Sequence, residues 1–296
     1  MTEFLQQLVN GLSLGAIYAL LALGYTMVYG VLRFINFAHS DVFMVGAFAG
    51  LYLAPIVPSG SILGGILVVL GAMMVCALLG ALIERFAYRP IRSAPTLNVL
   101  ITAIGVSLLL QSAGQLSFGA APRAFPAVFP ARALSIGGLD FSSNQVVVLL
   151  VALILAVALR FVVFRTKMGS ALRAVSQNPR AARLMGINND VVIRFAFLLG
   201  SGLAGAGGVL YATNYPSIDP FMGVLPGLKA FIAAILGGIG SIPGAALGGL
   251  LLGLVETFVS GSEYSTYKDA IAFALLILFL IFRPAGILGK TRVEKV

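Results

Sequence analysis

One histidine, one cysteine and ten carboxylates are all that this 296-residue chain offers for proton transfer, nucleophilic attack or metal binding. The histidine, His39, lies in INFAHSD with Asn36 and Asp41 close by. A lone imidazole cannot build a His-rich metal site, and with no obvious nucleophile and acid partner it cannot build a triad. Two readings are open for this stretch. Ser40 and Asp41 suit a helix start, where a short side-chain oxygen accepts from the backbone. Alternatively, Asn36, His39 and Asp41 set polar groups along a conduit. Cys76 falls inside an apolar run, so no disulfide framework or thiolate metal site can be assembled, and packing is its expected role. Near the C-terminus, Gly289, Lys290 and Thr291 match the end of a phosphate-binding loop, but the first glycine of that pattern would fall on Pro284, and no strand and helix flank it. With no other such loop, no metal, cofactor or catalytic role is expected, and any ATP hydrolysis must come from another chain.

These few polar groups sit in a chain that is 59% hydrophobic and 10% charged, against about 25% charged in soluble domains. Apolar runs near 8–30, 37–55, 62–83, 96–117, 144–165, 193–213 and 268–283 approach or meet the roughly 20 residues that a helix needs to cross a bilayer. An all-α bundle of about seven crossings follows, in one membrane domain spanning 1–296. The stretch 226–259 is also apolar, but Gly237, Gly238, Gly240, Ser241, Pro243 and Gly244 interrupt it. Two half-helices around a turn, forming a re-entrant hairpin, are expected there. Irregular backbone at membrane depth is tolerated only beside protein or a water-filled cavity, and such breaks mark substrate sites in transporters. A tight interfacial hairpin without a substrate role is the other reading.

The net charge of +9 comes from short basic segments between apolar runs rather than from one polar face, so nucleic acid is not an expected partner. Basic loops stay on the cytoplasmic side. Placing Arg33, Arg85 to Arg92, Arg165 to Arg194 and the tail from Arg283 inside, with Arg160 at the inner end of its helix, leaves four of the 19 lysines and arginines outside: Arg123, Arg132, Lys229 and Lys268. The N-terminus is then outside and the C-terminus inside. No basic residue precedes the first apolar run, so that helix is expected to be retained rather than cleaved as a signal peptide.

With that topology Asp140, Asp219 and Glu263 fall in outer loops, Glu84 and Asp190 at inner boundaries, and Glu256 and Asp269 near outer helix ends. Only Glu256 is expected to be buried, reaching the interface. So few membrane acids argue against an ion-coupled carrier. Gly11, Gly15, Tyr18, Ala22, Tyr25 and Tyr29 share one face of the first run, and GSGLAGAGG fills 200–208; small residues of this kind let helices approach closely in lipid. Asn98, Thr102, Gly105 and Ser112 share a face that either lines a polar path or hydrogen-bonds a neighbouring helix.

The loop 166–193 is too long for a simple turn and too polar to insert. Its residues 169–186 read as an amphipathic helix or helix pair, with Ala171, Leu172, Val175, Ala182 and Leu184 for apolar contact and Arg173, Arg180 and Arg183 for charge. Such an element fits a partner's groove or rests on anionic membrane lipid.

The segments GLSLGAIYALLALGYTMVYG at 11–30, INFAHSDVFMVGA at 35–47, ERFAYRPIRS at 84–93, the 169–187 loop and KAFIAAILGGIGSIPGAALGGLLLG at 229–253 together resemble the branched-chain amino acid ABC transporter permeases of the LivH type, over nearly the whole chain. The resemblance implies a bacterial inner-membrane permease, no enzyme itself, that moves leucine, isoleucine or valine by alternating access. It implies a second permease, LivM-type or identical, two cytoplasmic ATPases and an extracytoplasmic substrate-binding protein. It also implies that the loop carrying Gly169, Arg173, Asn178, Arg180, Arg183 and Gly186 couples to an ATPase. Ser40 stands where the family commonly has glycine.

Overall fold

An uninterrupted apolar run with no proline lets α1 extend over Thr2–Leu32. Of its most apolar stretch 94% is buried, against 22% for α4 (Thr96–Phe118) and α5 (Ser143–Arg165), which makes α1 the central helix and α4 and α5 peripheral ones. The computed structural model describes residues 2–58, 60–130, 132–136, 139–283 and 285–289. The readings made on Pro284, Lys290, Thr291, Arg292 and Lys295, and on the Asp140 side chain, lie outside what is described.

The described residues hold seven helices long and apolar enough to cross a membrane. Besides those already given they are α2 (His39–Leu53, continued by a short turn), α3 (Ile62–Ile83, continued by a wider π turn at Glu84–Tyr88), α8 (Asn189–Asn214) and α10 (Ile242–Ser260). Between α5 and α8 the basic loop forms α6 (Lys167–Gln177) and α7 (Pro179–Leu184). The interrupted segment forms α9 (Val224–Gly237) and α10, packed as a hairpin, and the chain closes with α11 (Lys268–Phe282). The hairpin is unequal. Only α9, with 14 residues, is a half-length helix; α10 has 19, and it is α10 rather than the last apolar run that reaches full crossing length. The 268–283 run folds as the 15-residue α11.

The glycine face of α1 is used as expected. A Cβ at Gly15 would lie 2.8 Å from the Leu250 Cα of α10, so these two helices meet backbone to backbone, and α1 and α10 form the most extensive contact in the fold. Such contact gains dispersion and interhelical packing where lipid supplies no hydrophobic drive. The 200–208 glycine run does the same for α8, whose Gly205 faces Gly46 of α2 and Cys76 of α3. Cys76 is buried and its thiol donates to the Val42 carbonyl (3.3 Å), a packing role.

Short strands, absent from the sequence reading, organise the loops opposite the basic end. β1 (Arg123–Ala124) pairs antiparallel with β4 (Ser217–Ile218), and β2 (Ala133–Ile136) with β3 (Leu139–Ser142). The other end gathers Arg33, the Glu84–Arg92 stretch, α6, α7 and the start of α8. The turn of the α9–α10 hairpin lies against the segment after α11: Ile287 and Leu288 donate backbone N–H groups to the carbonyls of Leu236 and Gly237. Gly238 takes a positive φ of 102°, and a Cβ there would strike Gly289. Its glycine identity is therefore fixed by both conformation and space.

Candidate functional site

The loop after α1 does not stay at the surface. Arg33 ends α1 in a left-handed conformation (φ 56°), and the chain turns back so that His39 lies against Gly24, about 12 Å of helix below Leu32. The start of α2 is thus inside the bundle: a short loop folds inward and α2 begins at depth. Ser40 and Asp41 do not cap α2; its first turn has no side-chain cap, and the Ser40 hydroxyl donates to the Phe37 carbonyl (2.8 Å). Ser40 fits because Gly223 and Gly227 face it, where a Cβ would collide.

Asn36, His39 and Asp41 are all buried, but each faces a different neighbour. The Tyr88 hydroxyl donates to Asn36 Oδ1 (2.6 Å); the His39 ring lies 4.5 Å from that of Tyr25; Asp41 Oδ1 accepts from Gln111 Nε2 of α4 (3.0 Å). On α4, Asn98 is exposed and the Thr102 hydroxyl turns back to the Asn98 carbonyl (2.9 Å). No element of the described chain covers that face, so these two do not join His39. The hairpin turn Gly237 to Gly244 meets Asn36 only through a cleft lined by Tyr25, Tyr29, Phe231 and Ile239, with about 10 Å³ free, a single water's worth. The sequence-based candidates therefore lie in separate surroundings and do not form one closed site.

Two ion-pair groups correct the expectation that Glu256 alone is buried. At the basic end, Glu84 has a fully buried side chain; it pairs with Arg92 and, at 3.4 Å, with Arg194. Asp190 accepts from Arg89 and Arg92 at 2.7 Å each. Burial pulls the Arg92 guanidinium below its ordinary pKa, opposed by the Asp190 charge beside it. These pairs tie the end of α3 and the start of α4 to the start of α8. Toward the opposite end of the bundle, Lys229 is not in an outer loop. It sits on α9, 4% exposed, and its ammonium bridges Glu256 of α10 and Asp269 of α11 at 2.6 Å each, while the Tyr18 hydroxyl donates to Glu256 (2.8 Å). A lysine in an apolar run had been counted as a loop residue; its two carboxylate partners lie far along the chain. Asp41, at 1% exposure, is a third buried acid.

The coupling candidates assemble into one rigid unit. Thr166 caps α6 and Asn178 caps α7, its Oδ1 accepting from the Arg180 and Ala181 N–H groups. Gly186 closes α7 with φ 82°. Gly169 lies so close to the Val162 and Val163 carbonyls that no Cβ would fit. Arg173 is not free to dock: its guanidinium donates to the Val163 carbonyl and Ser170 Oγ and lies over the Phe164 ring. Arg33 reaches from the end of α1 to the Ser176 carbonyl (3.1 Å), joining this unit to the loop that leads to His39. Arg180 and Arg183 are exposed. Leu184, one of the apolar residues of an element read as fitting a partner's groove or resting on lipid, projects together with Met185, at 89% and 82% exposure.

Sequence reasoning missed a cavity of about 430 Å³ at the opposite end, between α1, α5, α8 and α10. Asn10, Ser13, Asn144, Asn214, Glu256 and Thr257 are among its lining residues. The polar spacing of Gln7, Asn10 and Ser13 on α1 was the available signal. Among the described residues no three His, Cys, Asp or Glu side chains are grouped to hold a metal.

Buried ion pairs and polar groups inside a multi-pass helical bundle are what membrane transport proteins carry along their routes. The chain matches, over residues 7–280, the family described as the branched-chain amino acid transport system permease component, and belongs to it. It is 43% identical to the high-affinity branched-chain amino acid transport system permease protein LivH of Escherichia coli K12, covering 99% of this chain and 98% of that one. With the corresponding protein BraD of Pseudomonas aeruginosa it shares 44% identity at the same coverage. LivM of E. coli K12, named as a permease protein of the same kind of system, is 30% identical over 52% of this chain and 36% of its own length.

Proposed function

We propose that the chain is a permease subunit of an ATP-driven importer for leucine, isoleucine and valine in the bacterial cytoplasmic membrane. The basic end faces the cytoplasm, as lysine and arginine placement requires. The observation that carries this reading is the α6–α7 unit at that end. It is capped at both helix starts, held on α5 by Arg173, linked to α1 by Arg33, and presents Leu184 and Met185 to nothing in its own chain. A short helix with an exposed apolar tip and flanking arginines is what a partner groove accepts. Motion imposed there by an ATPase passes through Arg33 to the loop bearing Asn36, His39 and Asp41. A second permease, related or identical, covers the face of α4 that carries Asn98 and Thr102, and the shared conduit runs between the two. The hairpin turn around Gly237, Gly238, Gly240, Ser241 and Gly244 closes the cytoplasmic end of that route. An extracytoplasmic binding protein delivers the substrate.

Affinity purification of the tagged chain from cells expressing its whole transport system tests the assembly. A second permease and two nucleotide-binding chains are expected in the same particle. A stable particle without nucleotide-binding chains overturns the reading. The buried Lys229–Glu256–Asp269 group favours one alternative, an ion-coupled carrier, because such carriers place ionisable residues at depth.

A further inference from the structure

In a chain that is 59% hydrophobic, the 430 Å³ cavity at the end opposite the basic loops is lined mostly by residues with hydrogen-bonding side chains, Leu14 and Gly261 being the exceptions. Its volume falls within the roughly 300–1,000 Å³ of ligand pockets, which are usually mostly apolar. The lining is held in place by its own bonds: Gln145 donates to Asn10 Oδ1 (2.8 Å) and Asn214 to Ser13 Oγ (3.0 Å). Two features are left for a ligand. The Asn144 side-chain oxygen is buried and, among the described residues, accepts from no donor. Glu256 borders the cavity and belongs to a group of two carboxylates and one ammonium, Lys229 and Asp269 being the others, so the group carries one negative charge in excess. Lys268 stands on the same cavity wall.

We infer that this cavity is an outward-facing subsite for the ammonium and carboxylate end of an α-amino acid. The ammonium donates to Glu256 and to Asn144 Oδ1, and the carboxylate faces Lys268. The assignment rests on the proposal that the chain carries amino acids. Leu14 is the one aliphatic side chain in the lining, too little surface to tell one branched side chain from another, so the subsite serves leucine, isoleucine and valine equally, and discrimination among them lies elsewhere.

The test uses the complete reconstituted complex with its partners. Cys76 is buried, so an introduced thiol near the cavity is readily distinguished. A Ser260→Cys variant places a thiol on the cavity wall, and Ser262→Cys, on an exposed turn nearby, serves as control. Leucine is expected to slow modification of the first several-fold by a membrane-impermeant methanethiosulfonate added from outside, and to leave the second unchanged. Asn144→Leu is expected to raise KM about tenfold, the loss of a hydrogen bond to a charged group, by the same factor for leucine, isoleucine and valine and with little change in maximal rate. Absence of protection at Ser260→Cys overturns the subsite even where Asn144→Leu fails to fold. A KM change confined to one amino acid also overturns it. So does protection by substrate-free binding protein alone, which makes the cavity a docking pocket. If the unaltered complex moves no amino acid at all, the proposed function fails first; if it transports leucine but shows no protection, only the subsite fails.

Discussion

Replacing Leu184 and Met185 together with aspartate is expected to abolish recruitment of the ATPase subunits and reduce ATP-driven uptake to background, while leaving the permease folded and inserted. The two side chains are 89% and 82% exposed, so their loss removes no packing within the chain. Burying two aspartates in a partner groove replaces an apolar anchor with uncompensated charge. Hot-spot residues of this kind cost at least about 2 kcal/mol each, or roughly 30-fold in affinity, when truncated. Arg173→Glu has a different expected outcome. Its guanidinium holds α6 to the end of α5 through the Val163 carbonyl, so its replacement loosens the docking unit rather than deleting a contact point. Pull-down of the nucleotide-binding chains by the detergent-solubilised double variant separates the cases. Undiminished association shows that α7 does not receive the ATPase.

The second large effect is on stability. Lys229→Met leaves Glu256 and Asp269 without their shared ammonium, with Glu256 only 5% exposed and its carboxylate reduced to the Tyr18 hydroxyl as partner. Removing one member of a buried pair costs about 3–5 kcal/mol because the remaining charge is stranded. A thermal unfolding midpoint in micelles well below that of the unaltered protein is therefore expected. Adding Glu256→Gln to Lys229→Met is expected to recover much of the loss, since the second change removes the stranded charge. Additive losses in the double variant would mean that the two residues do not act as a pair.

The same lysine shows where sequence reasoning stops. Apolar run length, interruption by glycine and the placement of arginines are local signals, and they brought out the crossings, the hairpin and the α6–α7 unit, but not the caps at Asn178 and Gly186, two residues singled out only through the family resemblance. Pairing of Lys229 with Glu256 and Asp269 joins residues on three helices, and no local pattern distinguishes a buried lysine from one at a loop. The inward fold after Arg33 was hidden for a related reason. His39 is at depth because it meets Gly24 across the bundle, and only that long-range contact fixes the start of α2. Leu184 was legible as an apolar contact of the amphipathic unit, but its projection beside Met185 was not, because spacing alone does not say which apolar residues of so short a helix face the chain's own core. The cavity lined by Asn10, Asn144, Asn214 and Glu256 draws on four separate helices, each contributing polar residues near its end, where polarity alone signals only the membrane boundary. Asn98 and Thr102 do share a face, the Thr102 hydroxyl reaching the Asn98 carbonyl one turn back, but Asn98 is exposed and the pair stands apart from His39.

The central claim is that transport by this permease is energised by separate ATPases. The most direct measurement is leucine uptake into proteoliposomes holding either the chain alone or the chain with its second permease, ATPase subunits and binding protein. Accumulation against a gradient is predicted only in the complete assembly, only with ATP, and without dependence on a proton or sodium gradient. Accumulation by the chain alone under an imposed ion gradient, with no ATPase present, would contradict the account and assign Lys229, Glu256 and Asp269 to ion coupling instead.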